Sequence, residues 1–107
     1  KTKLLSPVAQ IIKVKGDDEA LRVANDTEYG LSSAVFSKDK ARGLRFALGL
    51  EAGMSHINDS SVDDRPNAPF GGEKNSGIGR FGGEWVMQEF TTDHWVTVQN
   101  APRPYPF

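Results

Sequence analysis

Cysteine is absent from the 107 residues, which excludes disulfides, thiolate metal sites and a cysteine nucleophile. No apolar run approaches the roughly 18 residues a membrane span requires, and no signal-peptide pattern is present. Neither charge is in excess: 13 Lys and Arg face 14 Asp and Glu, a net charge of −1. Nothing electrostatic therefore draws the chain to nucleic acid or to an anionic membrane. Hydrophobic residues are sparse at 37%, and a chain of this length forms about one small domain with a thin core. Glycine and proline are plentiful instead. Their 11 and 6 residues exceed the roughly 12% average share and predict long irregular connections. The chain opens on Lys1, not Met, with a strand pattern almost at once, and reads as a segment of something larger.

Val8-Ala9-Gln10-Ile11-Ile12-Lys13-Val14 is short, rich in β-branched residues and preceded by Pro7, the pattern of a strand. After Gly16, Asp17 can cap a helix whose first turn carries Asp18 and Glu19, where the helix dipole favours negative charge. Its apolar stripe of Ala20, Leu21, Val23 and Ala24 ends at Asn25. Tyr29-Gly30 turns the chain into a second strand, Leu31 to Phe36. Ser37 or Asp39 caps a second helix with Ala41, Leu44 and Leu48 at i, i+3 and i+7, and Gly53 closes it. Met54 to Asn58 reads as a third strand. This alternation predicts an α/β fold, a partial parallel βαβαβ sheet with helices on its faces. Residues 59–83 form a long Gly/Pro-rich loop, a length uncommon unless functional or disordered. A short helix follows over 84–90, with Trp85, Val86 and Phe90 available for burial. Trp95-Val96-Thr97-Val98-Gln99 alternates as a last strand, and the tail from Ala101 to Phe107 is too proline-rich for regular structure. The division expected is a body over 1–92 and an arm over 93–107.

Candidate chemistry is thin. Gly77-Ile78-Gly79-Arg80-Phe81-Gly82 matches G-x-G-x-x-G literally. It follows Glu73-Lys74-Asn75-Ser76, not the apolar strand that a dinucleotide fingerprint needs, so glycines for tight turns are the simpler reading. A P-loop fails as well, because Gly77 is followed by Ile78 and Gly79. His56 and His94 lie in separate segments without the three or four ligands of a zinc site. Asp63-Asp64 reads as a solvated pair, and Ser60-Ser61 lacks both a base and a nucleophile elbow.

Three motifs in order carry a resemblance: Asn25-Asp26-Thr27-Glu28-Tyr29-Gly30-Leu31, Gly53-Met54-Ser55-His56-Ile57-Asn58, and Pro69-Phe70-Gly71-Gly72-Glu73-Lys74-Asn75-Ser76-Gly77-Ile78-Gly79-Arg80. With them the chain, from about Pro7 to Phe107, resembles the C-terminal part of the NAD(P)-dependent aldehyde dehydrogenases. The loop from Asn58 to Asp64 and the Pro-Tyr-Pro-Phe ending are most similar to the aromatic-aldehyde branch, which acts on benzaldehyde, salicylaldehyde and vanillin. The resemblance implies a cysteine thiolate that attacks the aldehyde, hydride transfer to nicotinamide, and hydrolysis of the thioester by glutamate-activated water. It places the cysteine, the glutamate and the NAD- or NADP-binding domain upstream, so no catalytic residue, metal or cofactor is expected on this chain alone. The family's ribose-holding E-x-F-G-P segment falls at Lys3 to Pro7, where Lys3, Leu5 and Ser6 replace the Glu, Phe and Gly. An ammonium donates only and cannot accept from two ribose hydroxyls.

The resemblance assigns Asn58, Ser60, Ser61 and Phe70 to the wall of the aldehyde pocket. It assigns Trp95, Val96, Thr97 and Val98 to a strand that joins a neighbouring subunit's sheet. An unpaired apolar strand is a docking edge by its physics as well. Self-association as a dimer or larger assembly is expected, with domain swapping as one route, in a cytoplasmic setting. A non-catalytic association module is the alternative, and a free-standing nucleotide module around Gly77 a third.

Overall fold

The structure, a computed structural model, describes residues 3–105; Lys1 and the Pro106-Phe107 end of the expected tail lie outside them. Helix α1 spans Gly16–Asn25, β1 Tyr29–Gly30, β2 Ser32–Val35, α2 Lys40–Gly49, β3 Met54–Ile57, β4 Glu73–Lys74 and α3 Gly83–Phe90. Strands β2 and β3 run parallel, with Ser32 opposite Met54 and Val35 opposite Ile57. Strands β1 and β4 pair antiparallel, with Tyr29 opposite Lys74.

The helices start where local chemistry starts them. Asp39 is the N-cap of α2 and accepts from the Arg42 amide at 3.2 Å, satisfying one of the free donors of the first turn. At α1 the N-cap is Lys15, and Asp17 sits inside the first turn instead of capping it. The Glu19 carboxylate, one turn on, reaches back to accept from the Lys15 amide at 2.6 Å, satisfying a donor at the helix start. Asp17 is engaged elsewhere. Its carboxylate takes Nε and Nη2 of Arg42 at 2.8 and 2.6 Å, a bidentate pair that pins α1 to α2.

Several expectations are corrected. Residues 8–14 form no strand, because no partner strand is present and a lone strand leaves its backbone groups unpaired; Ile11 is 94% exposed. The three-stranded parallel sheet is therefore a β2–α2–β3 unit beside a small antiparallel ladder. Helix α2 ends at Gly49, before Gly53. Its stripe of Ala41, Leu44 and Leu48 faces outward, and Gly43, Phe46 and Ala47 face the sheet. Gly43 allows this approach, since a Cβ there would lie 3.2 Å from Ile57 Cγ2. The stretch read as one long loop contains β4 and a Phe70–Phe81 bridge. Helix α3 half-buries Trp85 and Val86 but leaves Phe90 exposed, tilted against Phe81 at 6.1 Å between ring centres. Residues 95–99 form no strand either, for the same want of a partner, and Trp95 is 90% exposed.

Among the described residues no hydrophobic side chain is fully buried. The radius of gyration is 21.3 Å, against about 13 Å for a compact chain of 100 residues. The segment is a layer with uncovered faces.

The Arg42 guanidinium, with help from Arg45, holds the Asp17 carboxyl below the ordinary carboxylate value. A carboxyl lowered by folding stabilises above its unfolded value and loses that contribution as the pH falls through the lowered one. Carbon-13 NMR of the Asp17 carboxyl should show titration below the ordinary value of about 3.9, and Arg42→Gln should restore it. An ordinary titration in the unmodified chain would refute the α1–α2 pair.

Candidate functional site

The residues expected to wall an aldehyde pocket divide between two anchors. Asn58 follows β3 with φ +58°, a left-handed conformation that Asn tolerates better than most residues. Its amide donates to the Val35 carbonyl at 2.8 Å. Its Oδ1 accepts from the Ser37 amide at 2.8 Å, and its Nδ2 donates to the Ser37 carbonyl at 2.9 Å. The carboxamide thus stands in for a peptide unit and adds a rung beyond the end of the β2–β3 ladder. Ser60 builds a local turn, its Oγ accepting from the Val62 amide at 3.1 Å. Ser61 offers its carbonyl to Ser32 Oγ at 2.6 Å, which lays the loop over the sheet face opposite α2. Phe70 is half-buried on the second anchor, exchanging backbone hydrogen bonds of 2.8 and 2.7 Å with Phe81.

His56 lies on the face that this loop covers, in register with Ala34, and its Nε2 is enclosed without a hydrogen-bond partner. The Arg65 guanidinium holds the nearby Asp63 carboxyl below the ordinary range, so Asp63 is paired and not free as a base. His94 is exposed, and among the described residues no three His, Asp or Glu side chains converge on a metal position. The glycine-rich segment is not shaped as a phosphate cradle. The Glu89 carboxylate sits against Gly79, where an anion would have to approach, and Arg80 spends Nη1 on the Gly72 and Gly79 carbonyls at 3.1 and 3.0 Å.

Sequence reasoning missed the knot behind that segment. Lys74 Nζ donates to the carbonyls of Asn25 at 2.8 Å and Thr27 at 3.1 Å, and meets the Glu51 carboxylate at 2.6 Å. Asn25 spans the same place, giving Nδ2 to the Gly49 carbonyl and accepting from the Glu51 amide, both at 2.9 Å. Ser76 Oγ accepts from the Gly30 amide at 2.8 Å, and the Asn75 amide donates to the Glu28 carbonyl at 2.9 Å. All of these except Glu51 and Gly49 lie inside the quoted motifs. The motif was visible but its partners, some 50 residues distant, were not. At the other end Lys3 rests its ammonium 5.1 Å from the Tyr29 ring centre, a cation–π contact. A donor-only cation with that partner does not fit the ribose-holding role of the position, so no step of a reaction is assigned to it.

A parallel βαβ unit, a glycine-dense turn bonded to it and an uncovered last segment define one layer of an α/β fold. The profile of the Aldehyde dehydrogenase family matches residues 1–96, and the chain belongs to that family. AldY of Bacillus subtilis is 55% identical over 107 residues, covering 100% of this chain and 22% of AldY. The benzaldehyde dehydrogenase YfmT of Bacillus subtilis is 47% identical over 107 residues, again 100% of this chain and 22% of the relative. Among solved structures, a salicylaldehyde dehydrogenase from Pseudomonas putida G7 complexed with salicylaldehyde superposes with TM-score 0.82 at 49% identity, covering 90% of this chain and 20% of that one. The chain spans about a fifth of the length of the curated relatives it matches.

The two Asn58–Ser37 hydrogen bonds fasten the end of β3 to the β2–α2 connection. In an enzyme carrying this segment, Asn58→Ala should cost about 1–3 kcal/mol, the sum of two net hydrogen bonds, read as a lowered urea midpoint. An unchanged midpoint together with a raised aldehyde KM would make Asn58 a substrate contact instead.

Proposed function

We propose that this chain is the substrate-wall and subunit-docking segment of an enzyme that oxidises an aromatic aldehyde to its carboxylic acid with NAD(P)+. The observation that carries this reading is the superposition on the salicylaldehyde-bound enzyme across 90% of the chain. The identity to a benzaldehyde dehydrogenase over the full 107 residues agrees with it. The chemistry of the wall suits the role. The half-buried Phe70 ring is the kind of apolar surface on which a planar aromatic aldehyde stacks, and the small exposed side chains of Ser60 and Ser61 suit a loop that borders a substrate. The attacking thiolate must come from elsewhere in the enzyme, because this chain has no cysteine.

The test is a YfmT in which this chain replaces the matching 107 residues. It should turn over benzaldehyde with NAD+ or NADP+, and the purified 107-residue chain should not. A folded, cofactor-binding chimera without benzaldehyde turnover, or turnover by the isolated chain, would overturn the reading.

Residues 93–107 form the docking arm in this proposal. What supports it is the exposure of Trp95, Val96 and Val98 on a stretch that alternates as a strand yet pairs with nothing among the described residues. A neighbouring subunit's sheet edge satisfies both the backbone and the apolar side chains. The same feature serves the association-module alternative. Val96→Asp with Val98→Asp in the chimera should reduce the assembly size in sedimentation velocity. An unchanged assembly would remove the arm from the interface.

A further inference from the structure

The Lys74 ammonium joins three separate segments, and neither the family match nor the relatives give it a part. An ammonium has three donors and no acceptor. Here the three meet three acceptors from separate segments: the Asn25 carbonyl at the end of α1, the Thr27 carbonyl in the turn after it, and the Glu51 carboxylate after α2. The backbone of Lys74 is itself strained, at φ +54°, in a region that costs a side-chain-bearing residue energy and persists only where the surroundings over-determine it. Those surroundings are β1, paired with β4, and the Ser76 and Asn75 contacts on the next two residues.

The knot has two sides. On one, α1, α2 and the start of β3 form the rigid layer, with Asn25 cross-linking the two helix ends. On the other, the turn from Gly71 to Arg80 carries Phe70 at its start and Phe81 just beyond its end, bridged to each other. Gly53 closes the contact between the sides, since a Cβ there would collide with the Gly71 carbonyl. Arg80, salt-bridged to Glu73 and bonded to the Gly72 carbonyl, makes the turn one rigid piece. Moving Lys74 therefore moves Phe70.

We infer that Lys74 is a positioning residue for aldehyde selectivity: through its contacts with Asn25, Thr27 and Glu51 it sets where the Phe70 ring stands. The inference rests on the proposed wall role of Phe70 and adds the device that fixes it. A ring displaced by a fraction of an ångström loses stacking with a planar aromatic substrate. A small aliphatic aldehyde, which makes little use of the ring, is barely affected.

The experiment uses the YfmT chimera and the ratio of kcat/KM for benzaldehyde to that for acetaldehyde. Glu51→Gln keeps the shape of the knot but discharges one of its three acceptors, and Lys74→Met removes it. Glu51→Gln should lower the ratio several-fold and Lys74→Met about tenfold or more, the scale of a lost charge-assisted hydrogen bond. The acetaldehyde kcat should stay within about twofold. Amide hydrogen exchange at Phe70 and Phe81 should quicken in Glu51→Gln. If Lys74→Met does not fold, Glu51→Gln decides alone. Equal losses for both aldehydes, or an unchanged ratio with unchanged exchange, overturn the inference. Phe70→Ala separates the two claims: an unaltered ratio there means that the wall reading has failed, whatever Lys74 does.

Discussion

One ammonium, two carboxamides and one guanidinium–carboxylate pair hold this segment in shape. Where no hydrophobic side chain among the described residues is fully buried, the usual glue of a domain is missing from them. The cross-links between remote parts of the chain are then polar. Lys74 and Asn25 join the ends of α1 and α2 to β4, Arg42 and Asp17 join the helices at their other ends, and Asn58 joins β3 to the β2–α2 connection. Each such bond contributes modestly, about 0.5–1.5 kcal/mol net for a neutral pair. They choose one geometry rather than supply the bulk of the stability.

The bulk has to come from the faces left open. Helix α2 half-buries Phe46 and Ala47 and leaves Leu44 and Leu48 in the open beside its charged Lys40, Arg42 and Arg45. The two exposed leucines are apolar surface without a partner among the described residues. Val8, Ile11 and Ile12 before α1, and Trp95, Val96 and Val98 after α3, are exposed in the same way. Exposed apolar surface on this scale is what a contact region looks like, and the chain spans about a fifth of the length of its relatives.

This explains which parts of the fold were legible in the residues. The second helix with its Asp39 cap, the strands on either side of it and the last short helix come from local chemistry: a capping oxygen, β-branched and apolar runs, helical periodicity. Local signals do not need the missing neighbours. The strands expected at 8–14 and 95–99 carry the same local signal, but a strand is completed only by a partner, and their pattern says nothing about whether one is present. The α2 stripe misled for a related reason, since with two apolar faces the spacing alone does not say which meets the sheet. The antiparallel β1–β4 ladder was invisible because it joins residues 45 apart through two-residue strands, too short to leave a periodicity. At the site, Phe70 and the Asn58 loop were readable as a motif. The roles of Lys74 and Asn58 were not, because they depend on where distant carbonyls fall.

The separation of shape from chemistry in this segment has a consequence for how specificity is built. A reactive sulfur needs an environment tuned to stabilise charge, and residues that tune it are constrained by the reaction. A wall needs only to stand in one place and present the right surface. In the proposed wall, an anchor made by the Lys74 contacts with Asn25, Thr27 and Glu51 leaves the exposed loop side chains free of the cross-links that fix the backbone. The loop from Asn58 shows the same division, with the carboxamide spent on the Ser37 backbone while Ser60, Ser61 and Val62 between the anchors remain exposed. Side chains in such a position can change size or polarity at little cost to the fold, because none of the cross-links that set the backbone passes through their outer atoms except the local Ser60 turn.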